Sequence, residues 1–236
     1  MKADILAFAA HPDDVELAAS GTLLKHIHQG KNCGIVDLTR GQLGSRGNPE
    51  LREKEADHAS EILGLDFREN LGMEDGWFRA DKEHIMQVAL MIRKYRPDVI
   101  LANAITDRHP DHGRGADLIK EAAFFSGLVK ATVEGHDYAP WRPRVLMHYI
   151  QDRFIEPDVI VDITDHIEQK MEAIMAFSSQ FYDPESDEPE TPISSKTFID
   201  YLYSRARQFG RYIGVEFAEG FTVDKAFGVE DLTRLA

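Results

Sequence analysis

Cysteine is nearly absent from this chain of 236 residues, because Cys33 is its single example. One cysteine excludes an internal disulfide and any zinc site built from several thiolates. Basic residues are also in deficit: 27 Lys and Arg face 41 Asp and Glu, which gives a formal net charge of −14. Such a charge argues against a protein that binds nucleic acid or other polyanions. A metal site in this chain would therefore use histidine and carboxylate ligands.

Long apolar runs are absent as well. No run approaches the ~20 residues that cross a bilayer, and the apolar stretch at residues 5–10 is too short for a signal peptide. We therefore expect a cytoplasmic protein without a membrane partner. With 43% hydrophobic and 29% charged residues the composition is ordinary for a globular protein, and the length fits one domain spanning residues 1–236.

Strand and helix patterns alternate along the chain. The apolar run 5–10 is typical of a parallel strand covered on both faces, and apolar residues at helical spacing follow it as far as Gly30. The same reasoning predicts strands at residues 34–38, 99–102, 145–150, 159–163 and 215–221 and near Phe67, and helices at residues 49–63, 115–130 and 196–212 and before Pro97. Another helix is predicted to begin near Asp165, with Asp165 and Glu168 as a capping box. The alternation predicts an α/β fold, a Rossmann-like, mostly parallel open sheet flanked by helices.

Histidine and aspartate follow two of the predicted strands at the point where each strand ends. Residues 11–14 read HPDD, where a dinucleotide-binding protein would have a glycine-rich GxGxxG loop. Residues 107–112 read DRHPDH, after the strand that ends near Asn103. Because ligands bind at the carboxyl ends of strands in open parallel sheets, we expect both segments at one edge. Imidazole nitrogen and carboxylate oxygen suit zinc, so the sequence predicts a catalytic metal site there.

The first segment contains more metal-binding groups than one ion requires. A tight turn can aim His11 and Asp14 at the same ion while Asp13 points toward the bound water. A metal lowers the pKa of its water toward neutrality, and a free carboxylate beside it can accept a proton during attack on a carbonyl carbon. Asp13 is therefore the candidate general base.

The second segment leaves the third ligand open, because either His112 or His109 can supply it. The other histidine is then available to stabilise an oxyanion or to protonate a leaving amine. Asp111 is a candidate catalytic residue as the orienting partner of that histidine. Spacing alone does not choose between the two histidines.

The sequence resembles a known family at these segments. The strings AHPDDVE at residues 10–16 and DRHPDHG at residues 107–113 look like the two signatures of the PIG-L/LmbE-like zinc deacetylases, which remove the acetyl group from N-acetylglucosaminyl conjugates. The resemblance covers nearly the whole chain. The strings most similar to the bacillithiol branch, the N-acetylglucosaminyl-malate deacetylases, are DLTRG at 37–41, ELR at 50–52, SQF at 179–181 and AEGF at 218–221.

The resemblance implies a role for each residue of the two segments. It makes His11, Asp14 and His112 the zinc ligands and Asp13 the general base. It makes His109 the residue that stabilises the oxyanion or assists the leaving group. Fe²⁺ or Co²⁺ can occupy the same ligands as Zn²⁺.

One departure from the broader family concerns the residue after the second aspartate. The family commonly has Glu there, whereas this chain has Val15 and then Glu16, as the bacillithiol branch does. The role of Glu16 is therefore open, and we expect it on a solvated helix surface.

Three arginines follow the second strand at the same predicted edge: Arg40, Arg46 and Arg52. Arginine forks suit carboxylates, so a dicarboxylate such as malate would fit Arg46 and Arg52 as substrate-binding residues. The resemblance also assigns Arg52 to substrate binding. The alternative is that these arginines pair with nearby acids such as Glu50 and Glu53.

The predicted function is zinc-dependent hydrolysis of the N-acetyl group of an N-acetylglucosamine conjugate. N-acetylglucosaminyl-malate is the favoured small-molecule substrate, and glucosaminyl-malate and acetate are the products. The alternative within enzymes is a deacetylase or amidase of another N-acetyl sugar or of a thiol conjugate. The alternative of another class is a non-catalytic metal-binding or regulatory module. Relatives of this kind form oligomers, hexamers among them, so the resemblance also implies a homo-oligomer.

Overall fold

The computed structural model describes residues 1–132, 135–229, 231 and 233. Strands and helices alternate along these residues. The strands are β1 Ile5–Ala9, β2 Cys33–Thr39, β3 Phe67–Met73, β4 Val99–Ala102, β5 Val145–Tyr149, β6 Val159–Asp162 and β7 Ala218–Val223. The helices are α1 Asp14–His28, α2 Pro49–Leu63, α3 Lys82–Tyr95, α4 Pro110–Ser126, α5 Ile167–Met175 and α6 Lys196–Ile213. None of these helices combines the length and the apolar character that crossing a membrane requires.

The seven described strands form one sheet in the order β3-β2-β1-β4-β5-β7-β6. Strands β1 to β5 pair in parallel, whereas β7 runs antiparallel to both β5 and β6. The chain leaves β1 toward β2 and β3, and it returns on the other side of β1 as β4. The carboxyl ends of β1 and β4 are therefore the switch point at which ligands bind in such sheets. The predicted mostly parallel α/β sheet is confirmed.

The central strand β1 is buried on both of its faces. Leu6 and Phe8 belong to a core cluster shared with α3 and α4, whereas Ala7 and Ala9 pack with Leu23 of α1 on the opposite face. This alternation is the period of two that a strand imposes on its side chains. The uninterrupted apolar run of the sequence follows from burial on both faces.

Helix α4 begins at Pro110, whereas the sequence predicts a helix over residues 115–130. His109 caps the true start, because its Nδ1 accepts a hydrogen bond from the backbone N–H of Asp111 at 3.2 Å. Proline suits the first helical turn, where its missing N–H costs nothing. Glycine disfavours helix, so the two glycines of the first turns concealed this start. His112 consequently lies in a helix rather than in a loop.

The predicted capping box of Asp165 and Glu168 is wrong. Thr164–His166 forms a 3₁₀ turn, and α5 begins directly after it without a side-chain cap. Asp162 stabilises the turn instead, since its Oδ1 accepts hydrogen bonds from the N–H and the hydroxyl of Thr164 at 2.9 and 2.7 Å. The cap thus comes from the end of β6, three residues before the expected position.

The last strand lies later than the predicted residues 215–221, because β7 begins at Ala218. Helix α6 continues to Ile213 and ends at Gly214, whose φ of 74° is in the left-handed region that glycine adopts at little cost. The backbone N–H of Val215 still bonds to a carbonyl of α6. The strand therefore starts only after this closing turn.

A buried ion pair crosses the middle of α1. Lys170 Nζ lies 2.6 Å from Glu219 Oε1. Glu219 accepts the backbone N–H groups of Gly21 and Thr22 at 3.0 and 2.7 Å, while Lys170 donates to the carbonyl of Leu17 at 2.9 Å. In a regular helix the Gly21 N–H donates to the Leu17 carbonyl. Here Glu219 binds that N–H and Lys170 binds that carbonyl, so the ion pair is inserted into this turn of α1. It ties α1 to α5 and β7.

Replacing Glu219 by Ala is expected to destabilise the protein by about 3–5 kcal/mol, because the buried ammonium of Lys170 loses its counter-ion. Urea unfolding of the purified variant measures this loss. Glu216→Ala is the matched control, since the side chain of Glu216 is 60% exposed and lies 3.7 Å from Arg207. Equal stability of the two variants would contradict the role given to the pair.

Candidate functional site

A cavity of about 290 Å³ opens at the carboxyl edge of the sheet. Segments that follow β1 to β5 form one side of it, and α6 with the loop before it forms the other. The predicted site residues that line the cavity are His11, Asp13, Asp14, Arg52, His109 and His112. Asp111 and Arg46 are not among the described residues that line it. The structure thus brings both histidine segments to one place, as predicted from the sheet.

His11 has a carboxylate at each side of its ring. Its Nε2 lies 3.0 Å from Asp75 Oδ1 and 3.3 Å from Asp111 Oδ2, and its Nδ1 lies 3.7 Å from Asp14 Oδ2. A carboxylate only accepts hydrogen bonds, so the nearer contacts assign the ring proton to Nε2. The lone pair of Nδ1 then faces Asp14.

His112 is held in the same manner from the other segment. Its Nδ1 lies 2.6 Å from Asp107 Oδ2, which assigns the ring proton to Nδ1. Its Nε2 lies 3.1 Å from Asp14 Oδ1. Asp107 is itself fixed, because its Oδ1 accepts the backbone N–H of Arg153 at 2.7 Å.

In their neutral forms, two imidazole rings therefore turn a lone pair toward the Asp14 carboxylate. Imidazole nitrogen and carboxylate oxygen are ligands that zinc accepts. Histidine ligands of metals usually donate their other N–H to a carboxylate, as His11 and His112 do here. The residues present thus fit a metal ion. Among the described residues, two groups have ligand atoms that all lie within 4.8 Å of one another: His11 with His109 and His112, and His11 with Asp75 and Asp111.

The carboxylates also raise the affinity of both rings for positive charge. Burial alone would lower the pKa of His11, but hydrogen bonds to Asp111 and Asp75 and the nearby charge of Asp14 raise it to about 10. Burial would likewise lower the pKa of His112, which the charge of Asp14 and the hydrogen bonds of the ring raise to about 9. The site attracts a cation even though it is buried.

His109 differs from the other two histidines in its hydrogen bonding. Its Nδ1 accepts the backbone N–H of Asp111, so its ring proton is on Nε2 and the ring offers a donor. Burial lowers the pKa of His109, and the charges of His11 and His112 lower it further. The neutral ring lies edge-on to His11, with ring centroids 4.6 Å apart. A neutral N–H donor beside the converging ligands suits the stabilisation of an oxyanion.

The carboxylate of Asp111 does not orient His109. Its Oδ1 pairs with Arg114, and its Oδ2 accepts the backbone N–H of Gly76 at 2.8 Å and lies close to His11. The hydrogen bond between Asp111 and His109 is made by the backbone of Asp111. The expected partnership therefore exists through the main chain, while the side chain of Asp111 supports His11.

Asp13 lies in the turn between β1 and α1 with φ of 125°, a region that residues other than glycine rarely adopt. Its Oδ2 accepts a hydrogen bond from Arg52 Nη2 at 2.7 Å, and the same nitrogen donates to the carbonyl of Pro12 at 2.9 Å. Burial raises the pKa of Asp13 to about 7, although the charge of Arg52 lowers it. A buried carboxylate with a pKa near neutrality suits a general base.

Arg40 and Arg46 are each paired with an acid, Arg40 with one of α2 and Arg46 with one in a loop. Arg40 Nη2 lies 2.9 Å from Glu53 on the surface, which is the pairing given above as the alternative to substrate binding. The guanidinium of Arg46 donates to Ser186 Oγ at 2.6 Å and lies 3.4 Å from Glu188. Of the two predicted substrate-binding residues, Arg52 lines the cavity. Arg46 is not among the described residues that line it, so its role stays a prediction.

Glu16 is fully buried, so the expectation of a solvated position was wrong. Arg68 of β3 explains the burial, because its Nη1 donates to Glu16 at 2.6 Å while its Nε donates to Asp37 at 2.7 Å. The three groups attach the first turn of α1 to β2 and β3. Glu16 therefore supports the turn that carries Asp13 and Asp14.

Three polar residues of the site were missed by the sequence reasoning. Asn103 Nδ2 and Gln151 Nε2 donate to Asp14 at 3.1 and 2.5 Å, and Asp75 holds His11. Each of the three follows the end of a parallel strand, as the predicted residues do. Applying the strand-end rule to β3 and β5 would have found Asp75 and Gln151.

The model of the PIG-L family, GlcNAc-PI de-N-acetylase, matches residues 6–123, the half of the chain that carries both histidine segments. The chain is 28% identical to the diacetylchitobiose deacetylase of Thermococcus kodakarensis, over 92% of this chain and 81% of that protein. It is 26% identical to the probable N-acetyl-alpha-D-glucosaminyl L-malate deacetylase 2 of Bacillus cereus, over 90% of this chain and 99% of that protein.

A solved structure is similar along the whole chain. The crystal structure of the conserved protein TT1542 from Thermus thermophilus has 38% sequence identity and a TM-score of 0.87, with 99% of this chain and 100% of that chain covered. The match of the family model includes His11, Asp14 and His112, the residues whose lone pairs converge. The chain therefore belongs to the PIG-L family and is a hydrolase of the deacetylase class.

Proposed function

We propose that the protein is a zinc-dependent deacetylase that hydrolyses the N-acetyl group of an N-acetylglucosamine conjugate, with His11, Asp14 and His112 as the zinc ligands. The observation that carries the proposal is the convergence of two imidazole lone pairs on one carboxylate, each ring being held from behind by an aspartate. The tautomer of His109 favours His112 as the third ligand, because His109 presents a proton rather than a lone pair.

The remaining residues supply the proton transfers. Zinc, when bound, supplies a Lewis acid for the acetyl carbonyl and a water of lowered pKa. Asp13 accepts the proton of the attacking water, and Arg52 holds the carboxylate in place at 2.7 Å. His109 donates from Nε2 to the oxygen on which negative charge develops. The C–N bond then breaks as the proton held by Asp13 passes to the nitrogen, and acetate and the free amine are released.

For the conjugate itself we propose N-acetylglucosaminyl-malate. The named activity of the relative from Bacillus cereus supports this choice. Arg52 supports it as well, because of the three predicted arginines, Arg40, Arg46 and Arg52, it is the one that lines the cavity. A second candidate is diacetylchitobiose, because the Thermococcus kodakarensis deacetylase matches over more than nine-tenths of this chain.

Acetate release from both compounds, before and after chelation and with zinc added back, tests the proposal. Release that stops with chelator and returns with zinc supports the deacetylase function, and the ratio of kcat/KM between the compounds identifies the preferred conjugate. Absence of release from either compound by protein that contains zinc would contradict the proposed substrate class.

Asp107→Asn is expected to weaken zinc binding by about 10–100-fold, because Asp107 fixes the tautomer and orientation of His112 from behind. Competition with a chromogenic chelator measures the change in zinc affinity. Asp152→Asn is the control, since Asp152 lies nearby and pairs with Arg108 at the surface at 3.1 Å. Similar zinc affinities of the two variants would argue against His112 as a ligand.

A further inference from the structure

Arg108 lies beside the proposed catalytic residues but takes no part in the hydrolysis described above. It directly precedes His109 in the segment between β4 and α4, and it lines the cavity. Its side chain is 45% exposed, so a ligand that enters the cavity from solvent can reach it. The guanidinium is therefore a cation at an open part of the site.

The part of the chain that the structure describes lines the cavity with four Lys and Arg side chains: Arg52, Arg108, Lys170 and Arg205. Lys170 is buried, and its Nζ donates to the carbonyls of Glu16 and Leu17 at 3.1 and 2.9 Å and to Glu219 at 2.6 Å. An ammonium has three N–H groups, so the protein itself uses all of them.

Arg205 and Arg52 also have partners within the protein. Arg205 donates from Nη1 to the carbonyl of Gln151 at 2.7 Å and from Nη2 to the carbonyl of Asp152 at 2.6 Å, which ties α6 to the segment after β5. Arg52 is buried, and its Nη2 lies 2.7 Å from Asp13 Oδ2. The charge of Arg52 is therefore balanced by the proposed general base.

Arg108 keeps most of its donors. Its described hydrogen bond runs from Nε to Asp152 Oδ2 at 3.1 Å. A guanidinium has five N–H groups, so the four on Nη1 and Nη2 have no described partner. These two nitrogens form the end of the fork, which matches the two oxygens of a carboxylate. Because Arg108 and Asp152 are both partly exposed, water weakens their attraction and the arginine can accept a second carboxylate.

The charge of the cavity makes such a cation necessary for an acidic ligand. Among the described residues, five carboxylates line it: Asp13, Asp14, Asp75, Asp152 and Glu219. These groups repel a negatively charged ligand. A cation with free N–H groups is what allows a ligand carboxylate to bind there, and Arg108 is the lining residue that offers one.

The chemistry of the substrate brings its aglycone to the same place. In an N-acetylglucosamine conjugate the acetamido group and the aglycone are on neighbouring ring carbons, so the aglycone stays beside the amide when the amide is bound for hydrolysis. His109 is the proposed donor to that amide, and Arg108 is the next residue in the chain. A carboxylate of the aglycone therefore lies on the side of the site that Arg108 lines.

We propose that Arg108 binds a carboxylate of the aglycone and thereby selects acidic N-acetylglucosamine conjugates over neutral ones. This inference rests on the proposed function, because it concerns the same substrate in the same cavity. Arg108 contacts neither the breaking bond nor the proton that moves, so it contributes equally to the ground state and the transition state. Its loss then raises KM and leaves kcat nearly unchanged.

Kinetics on a matched pair of conjugates tests this role. N-acetylglucosaminyl-malate and its dimethyl ester share one skeleton, but only the acid is charged. In Arg108→Gln we expect kcat/KM for the acid to fall by about tenfold, mainly through KM, because a charge-assisted hydrogen bond is lost. The value for the ester should stay within about twofold of the wild type, since the ester has no charge to pair. Equal losses for the two compounds would overturn the inference.

Arg153→Gln is the matched control, because it removes a neighbouring positive charge. Arg153 is exposed and is not among the described residues that line the cavity. The acid-to-ester ratio of kcat/KM should therefore keep its wild-type value in this variant. A ratio that falls equally in Arg153→Gln and Arg108→Gln would reflect the general surface charge and would overturn the assignment to Arg108.

Calorimetric titration with the amine product separates this inference from the proposed function. The probes are glucosaminyl-malate and its dimethyl ester, each added to the zinc-loaded wild type and to zinc-loaded Arg108→Gln. A preference for the acid that the wild type shows and the variant loses supports the role of Arg108, even if no N-acetyl compound is hydrolysed. Zinc-dependent acetate release together with the same acid-to-ester binding ratio in both proteins leaves the deacetylase function intact and overturns the inference.

Discussion

Asp13→Asn is expected to lower kcat by about 10²–10⁴-fold while zinc stays bound at wild-type stoichiometry. The amide has the shape of the carboxylate but cannot accept the proton of the attacking water. The side chain of Asp13 accepts a hydrogen bond from Arg52, and none is described between it and His11 or His112. The substitution therefore leaves the proposed zinc ligands in place. Metal analysis by mass spectrometry and steady-state kinetics on the same preparation measure both quantities.

The variant also leaves the Arg52 charge without its carboxylate, which lowers stability, so the kinetic effect needs a matched control. Glu55→Gln provides one, because Glu55 lies on α2 with Arg52, is 5% exposed and accepts the N–H of Ser179 at 2.7 Å. We expect this control to lose stability and to keep kcat. Loss of zinc together with activity in Asp13→Asn would make Asp13 a ligand or a structural residue instead of the base.

The sheet and the position of the site were predictable because they depend on local signals. A six-residue apolar run such as residues 5–10 indicates a strand buried on both faces, and parallel strands have their carboxyl ends at one edge. The two histidine segments could therefore be brought together without coordinates. The antiparallel position of β7 was not predictable, since pairing between β5 and β6 depends on contacts far apart in the sequence.

Side-chain partners were predicted less well for the same reason. Ser186 and Glu188, which bind Arg46, come from a loop 140 and 142 residues later in the chain, and no spacing rule relates them to the arginine. Glu16 was expected on a solvated helix surface, but its partner Arg68 lies on β3, 52 residues later in the chain. Burial of a charge is decided by such distant partners rather than by helical periodicity.

The two histidines of the second segment can be distinguished by what each variant loses. Loss of a residue that only hydrogen-bonds a ligand, such as Asp107, costs up to about 100-fold in zinc affinity. His112→Ala is expected to weaken zinc binding by more than about 100-fold, because it removes a proposed ligand. Zinc should then no longer raise the melting temperature, since an ion stabilises the folded state only in proportion to its binding. Thermal unfolding with increasing zinc measures this response.

His109→Ala is the matched comparison, because His109 lies beside the same ligands and belongs to the group of three histidines within 4.8 Å. Because Nδ1 of His109 accepts the Asp111 N–H, its Nε2 carries the ring proton and offers no lone pair to the ion. Replacing His109 by Ala should therefore leave zinc binding near that of the wild type. The expected loss is in kcat, by about 10²–10³-fold, as for removal of one oxyanion donor. The opposite pattern, with zinc lost from His109→Ala and retained by His112→Ala, would exchange the two roles and place the ion between His109 and His11.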